Sequence, residues 1–306
     1  MEIIFLGTGG SSSIPWMQCL LSGTNCAVCH HAHAVPSSKN RRNNPSLLVR
    51  YGGRNVLIDC GKTFRDSVLK VFLAKNIKSL DAIVLTHGHA DACLGLDDVR
   101  ELQVFTRCAE GGDDKKMANE PMYVHCHPRT KAEVGPKFDY LMLPPLKADA
   151  SSYRWTAKLD WKVFEDFGSF DAAGVAFTAL PVMHGKGYLC SGFEFGAEVG
   201  ARFVYLSDLH ELPSTTRAHL VANPAPIDVL VIDAIYLQAV HGAHLNLPQA
   251  IEIIKLLRPK KTYLVGMSHE FDYDVHNRSI RADVLREANL DVEMAYDGLE
   301  VALGPA

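Results

Sequence analysis

The chain has 306 residues, 47% of them hydrophobic and 22% charged, and carries a net charge of −4. This composition excludes a disordered or low-complexity chain and suits a globular protein with a substantial core, and the mild acidity gives no general pull toward nucleic acid or membrane surfaces. No apolar run approaches the roughly 18 residues needed to span a bilayer. The start, MEIIFLGTGG, lacks a basic leader, so a cytoplasmic protein without a signal peptide is expected.

In chain order, β-branched and aromatic runs predict strands over 3–6, 47–51, 56–59, 82–85, 122–125, 175–181, 192–195, 203–206, 229–232, 262–265 and 292–295. Helical periodicity is predicted over 63–75, 97–106, 215–222, 248–257 and 278–288, with Pro248 suited to a first turn. Most strands run into a loop rich in His, Asp or Gly, where α/β folds place their chemistry. Two stretches read as mobile loops, 30–45 and 110–120. Segment 137–171, with Pro144, Pro145, Trp155 and Trp161, reads as an irregular insertion or cap within a single domain covering 1–306. There is no internal repeat.

The stretch VLTHGHADACLGLDDV carries the chemistry. His87, His89 and Asp91 follow an apolar strand, and neutral imidazole plus carboxylate is the ligand set of catalytic zinc, iron or manganese. Further donors stand after later strands: His184 in LPVMHGKGYL and Asp208 in VYLSDLHELP. Of eight cysteines, Cys60, Cys93, Cys108, Cys126 and Cys190 are scattered and read as buried free thiols. Cys19, Cys26 and Cys29 cluster, which favours a reduced compartment and one metal knuckle over a disulfide framework.

The segments FLGTGG, LIDCG at 57–61, THGHAD at 86–91, the lone His184, SD at 207–208 and SHEFD at 268–272 occur in the order of the metallo-β-lactamase superfamily. Over nearly its whole length the chain resembles that family. It is most similar to the branch of the cyclic ribose-phosphate phosphodiesterase of phosphonate breakdown. The resemblance implies an αβ/βα sandwich of two mixed sheets with outer helices. It also implies a first metal site formed by His87, His89, His184 and Asp208. In relatives a second ion takes Asp91, the shared Asp208, a final motif histidine and a histidine on a late loop. Here those two histidine positions hold Ala92 and Gly266. The paired loss around one ion, with the other site intact, points to a one-metal centre. Restoring both histidines is expected to add one ion per chain. The resemblance further implies a closed structural zinc held by Cys19, Cys26, Cys29 and His269.

A centre of this kind is expected to use Zn²⁺, with Mn²⁺ or Fe²⁺ as alternatives at the catalytic position, alongside one structural Zn²⁺. Asp91 is the expected base for water. His244, at a family position that reaches into the cleft, is the expected general acid, although a capping or surface histidine is the plain alternative and His241 a competitor. Lys39, Arg41 and Arg42 could meet a phosphate, but a solvated basic loop explains them more simply. The expected function is hydrolysis of a small phosphodiester or cyclic phosphate. Single-metal thioester hydrolysis or oxygen chemistry, and a metal-keeping sensor without turnover, stand as alternatives. The expected partner is a small phosphate ester, with no membrane or nucleic acid, and a homodimer is common in this fold.

Overall fold

In the strand Glu2–Gly7 (β1), Ile3, Ile4, Phe5 and Leu6 are all fully buried. A strand with one wet face would alternate, so β1 must carry core on both sides. The computed structural model describes residues 1–103, 105–107, 116–118, 121–142 and 156–304. Cys108, Pro144, Pro145, Trp155 and most of the 110–120 stretch lie outside these.

The further strands of the first half are Ser46–Tyr51 (β2), Arg54–Ile58 (β3), Ala82–Val84 (β4), Phe105–Arg107 (β5), Lys116–Ala118 (β6), Met122–Cys126 (β7) and Leu159–Val163 (β8). The second half supplies Ser169–Ala172 (β9), Val175–Met183 (β10), Leu189–Phe195 (β11), Phe203–Leu206 (β12), Val229–Asp233 (β13), Lys261–Val265 (β14), Val292–Met294 (β15) and Glu300–Ala302 (β16). They form two seven-stranded sheets, β16-β1-β2-β3-β4-β7-β8 and β15-β14-β13-β12-β11-β10-β9, with β5 and β6 paired separately. Each large sheet is antiparallel along one half and parallel along the other.

Three apolar layers follow from the alternation. Ile3 and Phe5 pack between the sheets with Phe177, Phe193 and Phe203. Ile4 and Leu6 pack the other way, with Phe64, Phe72 and Leu96, under the helices of the first sheet. On the second sheet Leu180, Leu206, Ile232 and Leu264 meet Leu220, Ile254 and Ile280 of its helices. The order is helix, sheet, sheet, helix, which is the expected αβ/βα sandwich.

Several local expectations change. The helix expected over 97–106 is a 3-10 helix, Leu96–Leu102, followed by β5. Gln103 ends it by bonding reciprocally with the Lys158 backbone, Nε2 to O and N to Oε1 at 2.8 Å each. The last long helix begins early, at Tyr273, because the Asp272 carboxylate accepts from the amides of Asp274 and Val275. Segment 137–171 is not only a cap: it contributes the short helix Asp139–Met142, β8 and most of β9.

The 30–45 stretch is ordered, and Arg42 explains why. Its guanidinium is fully buried and donates to the carbonyls of Ser268 and Phe271 and to Asn40 Oδ1. Lys39 lies over the rings of Tyr273 and Tyr296, 4.5 and 4.2 Å from their centroids. Arg42 is therefore spent on the fold and cannot serve as a phosphate contact. Among the described residues, no helix is long and apolar enough to cross a membrane.

Candidate metal centre

The C-terminal ends of five strands converge at one edge of the sandwich. β3 delivers Asp59, β4 delivers His87 and His89, β10 His184, β12 Asp208 and β13 Asp233. Asp59 and Asp208 both take left-handed backbone, with φ of 60° and 49°. That conformation is costly for a side-chain-bearing residue and persists where the surroundings enforce it.

The rings of His87 and His184 are each held at Nδ1, which leaves Nε2 free. Asp59 accepts from Thr86 N and Oγ1 at 2.8 and 2.7 Å, and Thr86 Oγ1 in turn lies 2.9 Å from His87 Nδ1. His87 Nε2 is left buried without a hydrogen-bond partner among the described residues. His184 Nδ1 is 2.9 Å from the Ala243 carbonyl, which frees its Nε2. Ligand atoms of His87, His89 and His184 all lie within 4.8 Å of one another, as do those of His184, Asp208 and His244. Asp91 Oδ1 lies 3.8 Å from His87 Nε2. The expected first-site residues thus fall into two groups that share His184, and a buried nitrogen with no hydrogen-bond partner is the kind of group that a cation satisfies.

The electrostatics suit a cation. Burial, reinforced by the neighbouring imidazoles, keeps the His87 pKa well below the usual histidine range, and burial with the charge of His244 pushes His184 down to about 3. Both are ready as neutral ligands. Burial and the Asp91 charge push Asp208 up to about 8. At His244 burial opposes charge, but the Asp233 carboxylate, 2.8 Å from Nδ1, outweighs it and raises the pKa to about 9.

One wall of the site could not be anticipated from the motifs. Tyr188 stacks on His89, with centroids 4.7 Å apart, and its hydroxyl donates to Glu133 Oε2 at 2.5 Å. Lys137 Nζ donates to the Gly88 carbonyl at 2.7 Å. A Cβ on Gly88 would sit 2.6 Å from that of Glu133, so the residue between the two histidines has to be glycine. The other residues that sequence reasoning missed, Asp59, Thr86 and Asp233, carried a usable signal. Asp59 directly follows β3, Asp233 ends β13 and Asp208 stands two residues past β12, so each is an aspartate at a strand's C-terminal end.

Ala92 is buried, and Gly266 is more than a missing ligand. Its φ is +74°, and a Cβ there would lie 1.9 Å from Asp233 Oδ1. A histidine at 266 must displace that carboxylate, so the expectation that Ala92→His with Gly266→His simply restores an ion does not hold for this backbone.

Away from this cleft, Cys19, Cys26 and Cys29 surround His269. Their Sγ atoms lie 3.0, 3.5 and 3.8 Å from His269 Nδ1, and all four ligand atoms fall within 4.8 Å of one another. Cys19 sits on the short helix Met17–Leu21, while Cys26 caps and Cys29 lies within Ala27–Ala34. Cys60, Cys93, Cys126 and Cys190 are buried free thiols, as expected.

Comparison with known proteins agrees with this architecture. A family model described as a β-lactamase superfamily domain matches residues 54–267. A solved diphosphatase of the PhnP family is 28% identical, with a TM-score of 0.74 over 99% of this chain and 97% of that one. Zn(2+)-bound PqqB from Methylobacterium extorquens superposes with the same TM-score over 99% of this chain and 100% of its own, but at 16% identity the likeness is one of fold. An octanoyltransferase from Porphyromonas gingivalis is 24% identical across 99% of this chain, which spans only 52% of that protein, about half its length. A Bradyrhizobium ribonuclease Z is 36% identical over 95 residues, 31% of this chain and 23% of that protein. With most of its length inside the family model and two seven-stranded sheets of the right topology, the chain belongs to the metallo-β-lactamase superfamily, near its PhnP branch.

Proposed function

We propose that the protein is a metal-dependent hydrolase of a small phosphodiester or cyclic phosphate, working with one catalytic divalent ion. The observation that carries this reading is His87 Nε2, buried with no hydrogen-bond partner among the described residues and grouped with His89 and His184, the last of which also meets Asp208. Those four residues would hold the ion, which supplies an acidified water and polarisation of a phosphoryl oxygen. The chain's own residues do the rest. Asp91, with no second pair of histidines beside it, is free to take the proton of the attacking water. Asp59 and Thr86 keep the His87 ring in one orientation. Tyr188, stacked on the exposed His89, forms one wall of the cleft and fixes the plane of that ring. Cys19, Cys26, Cys29 and His269 would hold a closed structural zinc that ties the N-terminal loop to the 268–272 loop.

The test is turnover of bis(p-nitrophenyl) phosphate with Zn²⁺, Mn²⁺ or Fe²⁺ supplied. Turnover that His87→Ala abolishes supports the reading, and none with any of the three metals defeats it. A second reading, single-metal thioester hydrolysis, draws on the octanoyltransferase that matches 99% of this chain over 52% of its own length. Release of thiol from octanoyl-pantetheine, without diester turnover, would favour it.

A further inference from the structure

We propose that His244 is itself a ligand of the catalytic ion, held in place by Asp233, rather than the proton donor of the reaction. This rests on the metal-centre reading above but not on the substrate class.

The argument turns on His184. It belongs to both groups of converging donors, His87–His89–His184 and His184–Asp208–His244. Its Nδ1 is engaged by the Ala243 carbonyl, so one ring nitrogen remains, and one lone pair binds one ion. We assign both groups, joined at His184, to one ion. The shell around it is then His87, His89, His184, Asp208 and His244.

His244 is built as a ligand is built. Its Nδ1 is 2.8 Å from Asp233 Oδ2, which leaves Nε2 free, and a carboxylate behind an imidazole is the usual device for fixing a metal-bound ring. Asp59 performs the same service for His87 through Thr86. The backbone fixes the position as firmly: Leu245 N donates to Leu209 O at 2.9 Å, and Ile235 N to Leu245 O at 2.8 Å, so the loop carrying His244 is tied to the residue after Asp208 and to the residues that follow Asp233. The carboxylate that orients His244 also fills the space where a side chain at position 266 would begin. What closes the second-ion pocket therefore equips the first ion with a fifth donor. Five protein donors leave room for water only on an ion that accepts six, which favours manganese or iron over four-coordinate zinc.

The experiment loads Co²⁺ into the catalytic position with zinc left in the cysteine site, and records the visible d–d bands and the affinity by chelator competition. Wild type, His244→Ala, His244→Gln and Asp233→Asn are compared, with zinc retention and circular dichroism confirming the fold of each. The wild type is expected to show the weak bands of five- or six-coordination. His244→Ala and His244→Gln should shift and intensify those bands and lower affinity by at least tenfold. Asp233→Asn should lower affinity by roughly 10- to 100-fold, as for other carboxylates behind ligating histidines. Unchanged bands and affinity in folded His244→Ala would overturn the assignment while leaving the metal centre intact. Failure of the wild type to bind cobalt would overturn the metal centre itself.

Discussion

Thr86 shows how much a small residue can decide. Its hydroxyl stands between the Asp59 carboxylate and His87 Nδ1, so it sets which nitrogen of His87 is free. Thr86→Val keeps the shape and removes the link. Metal affinity is expected to fall by about 10- to 100-fold, as for other outer-shell losses. Folding stability should drop by about 1–3 kcal/mol, because the buried Asp59 loses a partner. Chelator competition and denaturant unfolding measure the two effects separately. Asp208 gives a pH dependence with a definite sign. In the ion-free chain burial and Asp91 hold its pKa near 8, so below that pH an incoming ion must displace its proton. His87 and His184 are neutral already and contribute no proton. If His244, its pKa raised to about 9 by Asp233, also ligates the ion, a second proton must leave, so affinity is expected to rise by about tenfold to a hundredfold per pH unit between pH 6 and 8. An affinity that stays level across this range, measured by chelator competition, would contradict the burial of Asp208 as a protonated carboxyl.

At the scale of elements, the helix Leu247–Leu257 matters to the site because the loop before it carries His244. Asn246 and Gln249 form a reciprocal capping box, at 3.0 and 2.9 Å. Asn246→Ala is expected to cost about 1 kcal/mol and to lower Tm by a few degrees. It should also weaken metal binding slightly, by loosening His244, and calorimetry with and without metal reads both. This helix was legible in the sequence, with Pro248 in its first turn and an apolar stripe behind it. The helix expected over 97–106 was not, because Gln103 bonds to the Lys158 backbone, a partner that only the fold brings near. The loop over 30–45 was misjudged for a related reason. Its polar residues looked solvated, yet Arg42 and Asn44 are buried and donate to backbone carbonyls from other segments.

At the scale of the whole molecule, the two clusters proposed to hold metal sit on different loops and should behave independently. His87→Ala is expected to remove the catalytic ion and leave the cysteine-bound zinc. Cys26→Ser should do the reverse, and also loosen the N-terminal loop from the 268–272 loop. Elemental analysis of each variant checks this, and loss of both ions from either one would show that the sites are coupled. The sequence by itself determined most strands and the candidate ligand types, because period and residue chemistry are local properties, and the sandwich class came from the resemblance of its motifs to the metallo-β-lactamase superfamily. It also located most donors, since an Asp or His directly after an apolar strand is visible as a pattern. Only the tertiary structure decided which of them meet. Cys19 and His269 are 250 residues apart, yet their Sγ and Nδ1 lie 3.0 Å apart. Asp233 finds His244 across a loop and blocks position 266 from a neighbouring strand. Coordination is a matter of converging lone pairs within a few ångströms, and spacing along a chain does not specify that convergence until the sheets have packed.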